Sequence, residues 1–133
     1  MSSLGHFVAE FDSPHLAFTI SHHVKLGISI PVHGIIDTGA SRLCIPNYLA
    51  QKLGLRPIRT SPTLTAAGLV SSTIYFAKVE FPKLKYSEII EVMSPQTDNY
   101  EAPILIGMSV LRQFNIWYHG GMETWSFYRR DEV

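Results

Sequence analysis

The stretch GIIDTGAS, residues 34–41, runs an apolar segment directly into a carboxylate. An ionised carboxylate beside a hydrophobic layer is costly unless it is paired, hydrogen-bonded or protonated. A lone Asp-Thr-Gly has an ordinary explanation, because aspartate in a turn accepts hydrogen bonds from nearby backbone N–H groups. Here the triplet follows two isoleucines, Thr38 can form a lateral hydrogen bond, and Gly39 leaves room for a close approach. Asp37 is therefore the strongest candidate for a functional group.

Length and composition predict one packed domain that spans residues 1–133. The chain is 46% hydrophobic and 17% charged, which is typical of a globular protein with a core and not of a disordered one. Lysine plus arginine equals aspartate plus glutamate, at 11 each. A balanced chain without a basic cluster gives no electrostatic reason to expect nucleic acid or an anionic membrane as a partner.

The remaining reactive side chains argue against a disulfide or metal-dependent protein. Cys44 is the single cysteine, so no internal disulfide can form. The sequence shows no residue that would act as a base for its thiol, and we therefore expect Cys44 to be a packing residue. The pair His22-His23 would point to opposite faces of a strand, so we expect no metal site and no cofactor. The sequence shows neither a signal peptide nor a membrane span, and we expect a cytoplasmic protein.

Short segments rich in Ile, Val, Phe and Tyr, separated by Gly and Pro, predict a mostly β fold. The predicted strands cover residues 16–21, 24–30, 32–36, 63–66, 70–74, 75–81, 89–93, 103–106, 115–118 and 124–128, with Gly120-Gly121 turning the last two into a hairpin. Two short helices are predicted. The first covers residues 48–53, with Asn47 as N-cap and Gly54 after its end, and the second covers residues 109–114, with Ser109 as cap.

About seventy residues after the Asp-Thr-Gly triplet, a second apolar strand also ends in glycine and leads into a helix, in the segment ILIGMSVL, residues 104–111. The two motifs in this order, with a hairpin-like segment between them, resemble the retropepsins, the single-lobe aspartic proteases. The resemblance covers roughly Leu16 to Phe127. It implies an all-β, retropepsin-like acid protease half-barrel with one or two short helices, completed as a symmetric homodimer.

The resemblance also implies roles for individual residues. Asp37 corresponds to the catalytic aspartate, Thr38 to the threonine that grips its counterpart across the dimer, and Gly39 to the glycine beside the cleft. Ala40 stands where pepsin-like members often carry a hydroxyl that favours the charged carboxylate, so we expect activity nearer neutral pH. The second apolar-glycine motif is represented by Ile106 and Gly107.

Each chain holds one Asp-Thr-Gly box, whereas this chemistry needs two carboxylates. Asp37 of a second copy would supply the other, at about 3 Å in this class, where two like charges share one proton and titrate as a pair. The resemblance therefore implies a homodimeric aspartic endopeptidase that acts on peptides with an activated water. The alternative is a module of the same fold that grips peptides as a dimer and cleaves slowly or not at all.

The segment between the two motifs contains a candidate flap, a hairpin that would close over a peptide substrate. Its candidate residues are Ala66, Ala67, Gly68 and Leu69. An ordinary surface hairpin is the alternative, since small residues and glycine are common at loop tips. The C-terminal segment, residues 124–129, resembles the strand that interleaves with its mate in retroviral members, and the sequence leaves open whether it does so here.

Overall fold

A computed structural model describes residues 4–65, 68–96 and 102–130. The strands are β1 (His6–Phe11), β2 (His15–Ser21), β3 (Ser29–Ile36), β4 (Leu43–Cys44), β5 (Pro57–Thr65), β6 (Gly68–Phe81), β7 (Tyr86–Pro95), β8 (Ile104–Ile106), β9 (Phe114–His119) and β10 (Thr124–Arg129). The helices are α1 (Asn47–Leu53) and α2 (Met108–Leu111), and residues Pro82–Leu84 form a 3₁₀ turn. The predicted mostly β fold with two short helices is confirmed.

Seven strands form one sheet, in the order β2-β3-β8-β4-β7-β6-β5, and β2 also pairs with β6. Because β2 is bonded on both sides, this sheet closes on itself and β5 remains outside the closed part. The other three strands form a small sheet in the order β1-β10-β9. Within the described residues, no helix is long and apolar enough to cross a membrane.

The larger of two hydrophobic clusters in the described residues spans the closed sheet and the small sheet, and the second contains Cys44, Ile74 and Met93. Alternate residues of β2 point inward, and Phe18 stacks on Phe81 with ring centroids 4.4 Å apart. Phe127 of β10 is fully buried and makes edge contacts with Phe11 and Phe114. Phe114 also contacts Tyr86 of β7, with ring centroids 6.1 Å apart, and this contact packs the small sheet against the closed sheet.

Strands β3 and β8 pair in parallel, with Gly34 opposite Ile104 and Ile36 opposite Ile106. A Cβ atom at Gly34 would lie 2.7 Å from the side chain of Ile106, so glycine lets that isoleucine pack across the strand. Parallel strands end at the same edge of a sheet. The residues that follow β3 and β8 therefore emerge side by side.

Helix α1 follows the prediction at its C-terminus but not at its start. Gly54 closes the helix in the left-handed conformation, with φ of 66°. Asn47 is the first helical residue rather than the N-cap, which is Pro46, and its side chain bonds instead with Ser94 and Gln96. The side-chain amide of Asn47 thus joins α1 to β7 and does not cap the helix.

Several strand predictions were wrong in position or extent. Residues 70–74 and 75–81, predicted as two strands, form the single strand β6. Residues 24–28 form a loop and not a strand, and β3 begins at Ser29. Strand β1 was missed, and β5 begins at Pro57, well before the predicted start. The β9–β10 hairpin is confirmed, although its left-handed residue is Glu123 and neither glycine of the turn has a positive φ.

Candidate active site

The Asp37 carboxylate is held by the turn that follows β3. The backbone N–H of Gly39 donates to Oδ1 of Asp37 at 2.8 Å, and the N–H of Ala40 donates to the Asp37 carbonyl at 3.2 Å. The N–H of Asp37 donates to the carbonyl of Ile106 at 3.0 Å, which ties this turn to the end of β8. The hydrogen bond from the Gly39 N–H orients the carboxylate. It also offsets part of the free-energy cost of placing a charged group at the end of an apolar strand.

The second motif interlocks with this turn through the backbone. The N–H of Met108 donates to the Ala40 carbonyl at 2.8 Å, and the N–H of Ser109 donates to the Ser41 carbonyl at 3.0 Å. A Cβ atom at Gly107 would lie 2.3 Å from the carbonyl oxygen of Arg42 and 2.6 Å from that of Ala40. Only glycine lets the two segments approach so closely.

Ser109 does not cap α2 as predicted. The helix begins at Met108, its N-cap is Gly107, and no side chain caps it. Ser109 lies inside the helix, where its Oγ is buried and bonds with no group in the described parts of the chain. The helix start is held instead by the backbone bonds to the Asp37 turn.

The three residues of the Asp-Thr-Gly triplet differ in exposure. Asp37 is half-buried, whereas Thr38 and Gly39 are exposed. Within residues 4–65, 68–96 and 102–130, no side-chain hydrogen bond involves the Thr38 hydroxyl, which leaves it at the surface beside the carboxylate. Ile106, whose carbonyl accepts the hydrogen bond from the Asp37 N–H, is fully buried.

A cavity of about 560 Å³ opens beside Asp37 and is called the active-site cavity below. The Asp37 turn forms one side of it, and β5 and β7 contribute others through Leu64 and Met93. Its lining residues are Asp37, Gly39, Ala40, Ser41, Arg42, Cys44, Ile45, Pro46, Ser61, Pro62, Thr63, Leu64, Met93, Pro95, Ala102, Pro103 and Leu105. The lining is mainly apolar and contains a few polar groups, as in most binding pockets for organic ligands.

The candidate flap is the end of the β5–β6 hairpin. The two strands pair as far as Thr65 opposite Gly68, and Gly68 has a φ of 104°. Leu69 is 73% exposed. Ala66 and Ala67 lie outside the described residues. Because the β5 arm of this hairpin lines the active-site cavity, the hairpin borders the space beside Asp37.

Cys44 lines the same cavity as a buried thiol. Its Sγ lies 3.6 Å from the carbonyl oxygen of Arg42. Burial and the nearby charge of Asp37 raise the pKa of Cys44 to about 11, although the Arg42 charge acts in the opposite direction. The thiol is therefore protonated near neutral pH, in agreement with its interpretation as a packing residue.

Three charged residues that the sequence analysis did not single out lie next to the active-site cavity. Arg59 of β5 forms a bidentate ion pair with Glu91 of β7. Its two terminal nitrogens lie 2.6 Å and 3.1 Å from the two carboxylate oxygens. Nε of Arg42 lies 3.4 Å from the same carboxylate. The hydrogen bonds and charges of these arginines hold the pKa of Glu91 below its usual value. An arginine directly after the GIIDTGAS stretch was the available sequence signal.

Comparison with known proteins identifies the family to which this chain belongs. Residues 24–113 match the family described as "gag-polyprotein putative aspartyl protease". The match covers more than half of the chain, and the chain belongs to this family. No curated protein sequence matches it significantly.

Two solved structures show that the fold is retropepsin-like. The retropepsin-like aspartic protease from Rickettsia conorii is 19% identical with a TM-score of 0.58, and the alignment covers 98% of this chain and 100% of that one. EIAV protease in complex with the inhibitor HBY-793 is 13% identical with a TM-score of 0.56, over 75% of this chain and 86% of that one. The all-β single-lobe fold predicted from the sequence is confirmed.

Proposed function

We propose that this protein is an aspartic endopeptidase that hydrolyses peptide bonds as a homodimer, with one Asp37 from each copy. The observation that carries the proposal is the position of Asp37. Its carboxylate is oriented by the Gly39 N–H at the edge of the active-site cavity, with the exposed Thr38 hydroxyl beside it. The chain's membership of an aspartyl protease family supports the same chemistry.

The proposed reaction uses the two carboxyl groups in different protonation states. The ionised carboxylate takes a proton from water as the water oxygen attacks the peptide carbon, and the protonated carboxyl donates its proton to the carbonyl oxygen. The resulting tetrahedral diol then collapses. One of its hydroxyl groups gives a proton to the ionised carboxylate, the protonated carboxyl donates its proton to the amide nitrogen, and the carbon–nitrogen bond breaks to release an acid and an amine.

The lining of the cavity supports the proposal of a second copy. Among the described residues that line it, Asp37 is the only carboxylic acid. A twofold axis beside the exposed Thr38 would bring a second Asp37 to the first. The Thr38 hydroxyls would then have partners across the axis. Thr38 and Gly39 are proposed to support the dyad in this way, and the Ala40 carbonyl supports it by holding α2.

The small sheet suggests how the second copy is joined. Strand β10 lies between β1 and β9 and is bonded on both sides, so the C-terminal strand has no free edge with which to interleave with a mate. The edge strands β1 and β9 are available instead, and β9 exposes about half of Trp117 and of Tyr118. We propose that a second copy extends this sheet at an edge.

The β5–β6 hairpin is proposed to act as the flap. Its β5 arm already borders the active-site cavity, and Gly68 adopts a backbone conformation that L-residues rarely take. An extended peptide in the cavity could pair with this arm through main-chain hydrogen bonds. Ala66, Ala67, Gly68 and Leu69 would then close over the peptide and exclude water.

The test is cleavage of a diverse peptide library by the wild type, Asp37→Asn and Asp37→Ala. We expect both variants to lower kcat/KM by about a thousandfold, since each removes the acid–base group. Asp12→Asn is the matched control, because Asp12 is exposed and lies outside the cavity, and it should cleave at the wild-type rate.

Two results would contradict the proposal. Equal cleavage by all variants would exclude the aspartic mechanism. If the wild type forms dimers and binds peptides saturably but cleaves none, the alternative of a peptide-binding module is favoured.

A further inference from the structure

A second cavity, of about 380 Å³, lies beside the active-site cavity and is called the arginine subsite below. Its described lining residues are Ser41, Arg42, Glu91, Ser109, Arg112 and Gln113. Ser41 and Arg42 line both cavities. The two cavities therefore adjoin at Ser41 and Arg42.

The charges around the arginine subsite do not cancel. Glu91 is the single carboxylate of its described lining; Arg59 donates to both of its oxygens, and Nε of Arg42 lies 3.4 Å from Oε1. Nε of Arg112 donates to the Met108 carbonyl at 3.1 Å. In the described parts of the chain, the terminal nitrogens of Arg42 and of Arg112 donate no hydrogen bond, although the Arg42 guanidinium forms an ion pair with Glu91. Arg42 and Arg112 thus line a subsite that holds one carboxylate, and that carboxylate is already paired with Arg59 from outside the lining.

We propose that the arginine subsite binds an acidic side chain of the peptide substrate, a few residues from the scissile bond. A guanidinium group presents paired N–H donors that match a carboxylate, which favours Asp or Glu at this substrate position. The inference rests on the proposed function, because it assumes that a peptide occupies the active-site cavity. It adds that Arg42 determines specificity and does not take part in the chemistry.

The test uses matched peptides that carry either Glu or Gln at one position. A neutral peptide selected from the library for cleavage or binding is varied in this way at each position near the scissile bond. For the wild type we expect kcat/KM to be about fivefold higher, or more, with Glu than with Gln at one of these positions. The preference should weaken as salt is added, because the pair is partly exposed.

Variants at Arg42 test whether this residue causes the preference for Glu over Gln. Arg42→Gln should bring the Glu-to-Gln ratio to about one, and Arg42→Glu should reverse it, so that a peptide with Lys at that position is preferred. Arg56→Gln is the matched control, because Arg56 is exposed and lines neither cavity, and it should keep the wild-type ratio. A ratio near one in the wild type at every position, or an unchanged ratio in Arg42→Gln, would overturn the inference.

Two further readouts separate this inference from the proposed function. If no peptide is cleaved, the Glu-to-Gln ratio of binding affinities replaces the ratio of kcat/KM. A preference that Arg42→Gln abolishes then supports the subsite while the protease proposal fails, and absence of binding to either peptide overturns both. If Arg42→Gln leaves the ratio unchanged but raises the dissociation constant of the dimer, the acidic group belongs to a second copy and the inference is overturned.

Discussion

Gly107 is far from Asp37 in sequence, yet it decides how closely the second motif approaches the turn that holds the carboxylate. The Gly107→Ala variant would place a Cβ atom 2.3 Å from one backbone carbonyl oxygen and 2.6 Å from another. Backbone atoms cannot rotate away as a side chain can. We therefore expect the variant to lose about 2 kcal/mol or more of unfolding free energy, measured by urea denaturation.

The Gly121→Ala variant provides a control for the effect of adding a methyl group. Gly121 has a negative φ and no atom within 4 Å of its ideal Cβ position. The unfolding free energy of Gly121→Ala should therefore remain within about 0.5 kcal/mol of the wild-type value. Equal stability of Gly107→Ala and Gly121→Ala would contradict the close contact between the two motifs.

The sequence could predict Asp37 but could not predict most of what surrounds it. Asp37 stands out because a charge follows two isoleucines, which is a local pattern. Arg42, Met93 and Leu105 line the active-site cavity, but they come from separate segments. Their proximity depends on the pairing of β4 with β7 and β8, which no local pattern encodes.

Among the elements, those fixed by local signals were predicted better than those fixed by distant pairing. Helix α1 has Gly54 at its end and two leucines on its buried face, and its prediction was correct within one residue. Strand β1 was missed, because it exists through its pairing with β10 at the other end of the sequence. Residues 24–28 were predicted as a strand because of their apolar side chains, yet Val24 and Leu26 are exposed in a loop.

That loop, residues 22–28, has a conformation that depends on a neutral histidine. Nδ1 of His22 accepts hydrogen bonds from the N–H groups of Val24 and Lys25, at 3.0 Å and 2.9 Å. Partial desolvation and the neighbouring His23 and Lys25 lower the pKa of His22. The folded state therefore favours the neutral ring more than the unfolded chain does, and the contribution of His22 to stability is present above the usual pKa of 6.5.

We expect the loop to lose these two bonds as the pH falls below 6.5 and through the lowered pKa of His22. Protonation converts Nδ1 from an acceptor to a donor, which the two N–H groups cannot accommodate. The amide chemical shifts of Val24 and Lys25, followed by NMR between about pH 7.5 and 4.5, should change with His22 titration. His22→Asn keeps an acceptor that does not titrate and should abolish the transition. The same transition in that variant would contradict its assignment to His22.

For the whole molecule, the proposed shared active site would make activity a property of the pair of chains. If each copy supplies one Asp37, a dimer of one wild-type and one Asp37→Asn chain lacks one of the two carboxylates and should be inactive. Random exchange between equal amounts of the two proteins puts about half of the wild-type chains into mixed dimers. The activity of a fixed amount of wild-type protein should therefore fall to about half after equilibration with an equal amount of the variant.

Larger amounts of Asp37→Asn should lower the activity further, because they move more wild-type chains into mixed dimers. The Asp12→Asn protein is the control, since its mixed dimers keep both Asp37 carboxylates and the total activity should rise when it is added. The rate of peptide cleavage after incubation long enough for chain exchange measures both cases. An active site contained within one chain would be unaffected by Asp37→Asn at any ratio, and that result would leave Asp37 without the partner that its chemistry requires.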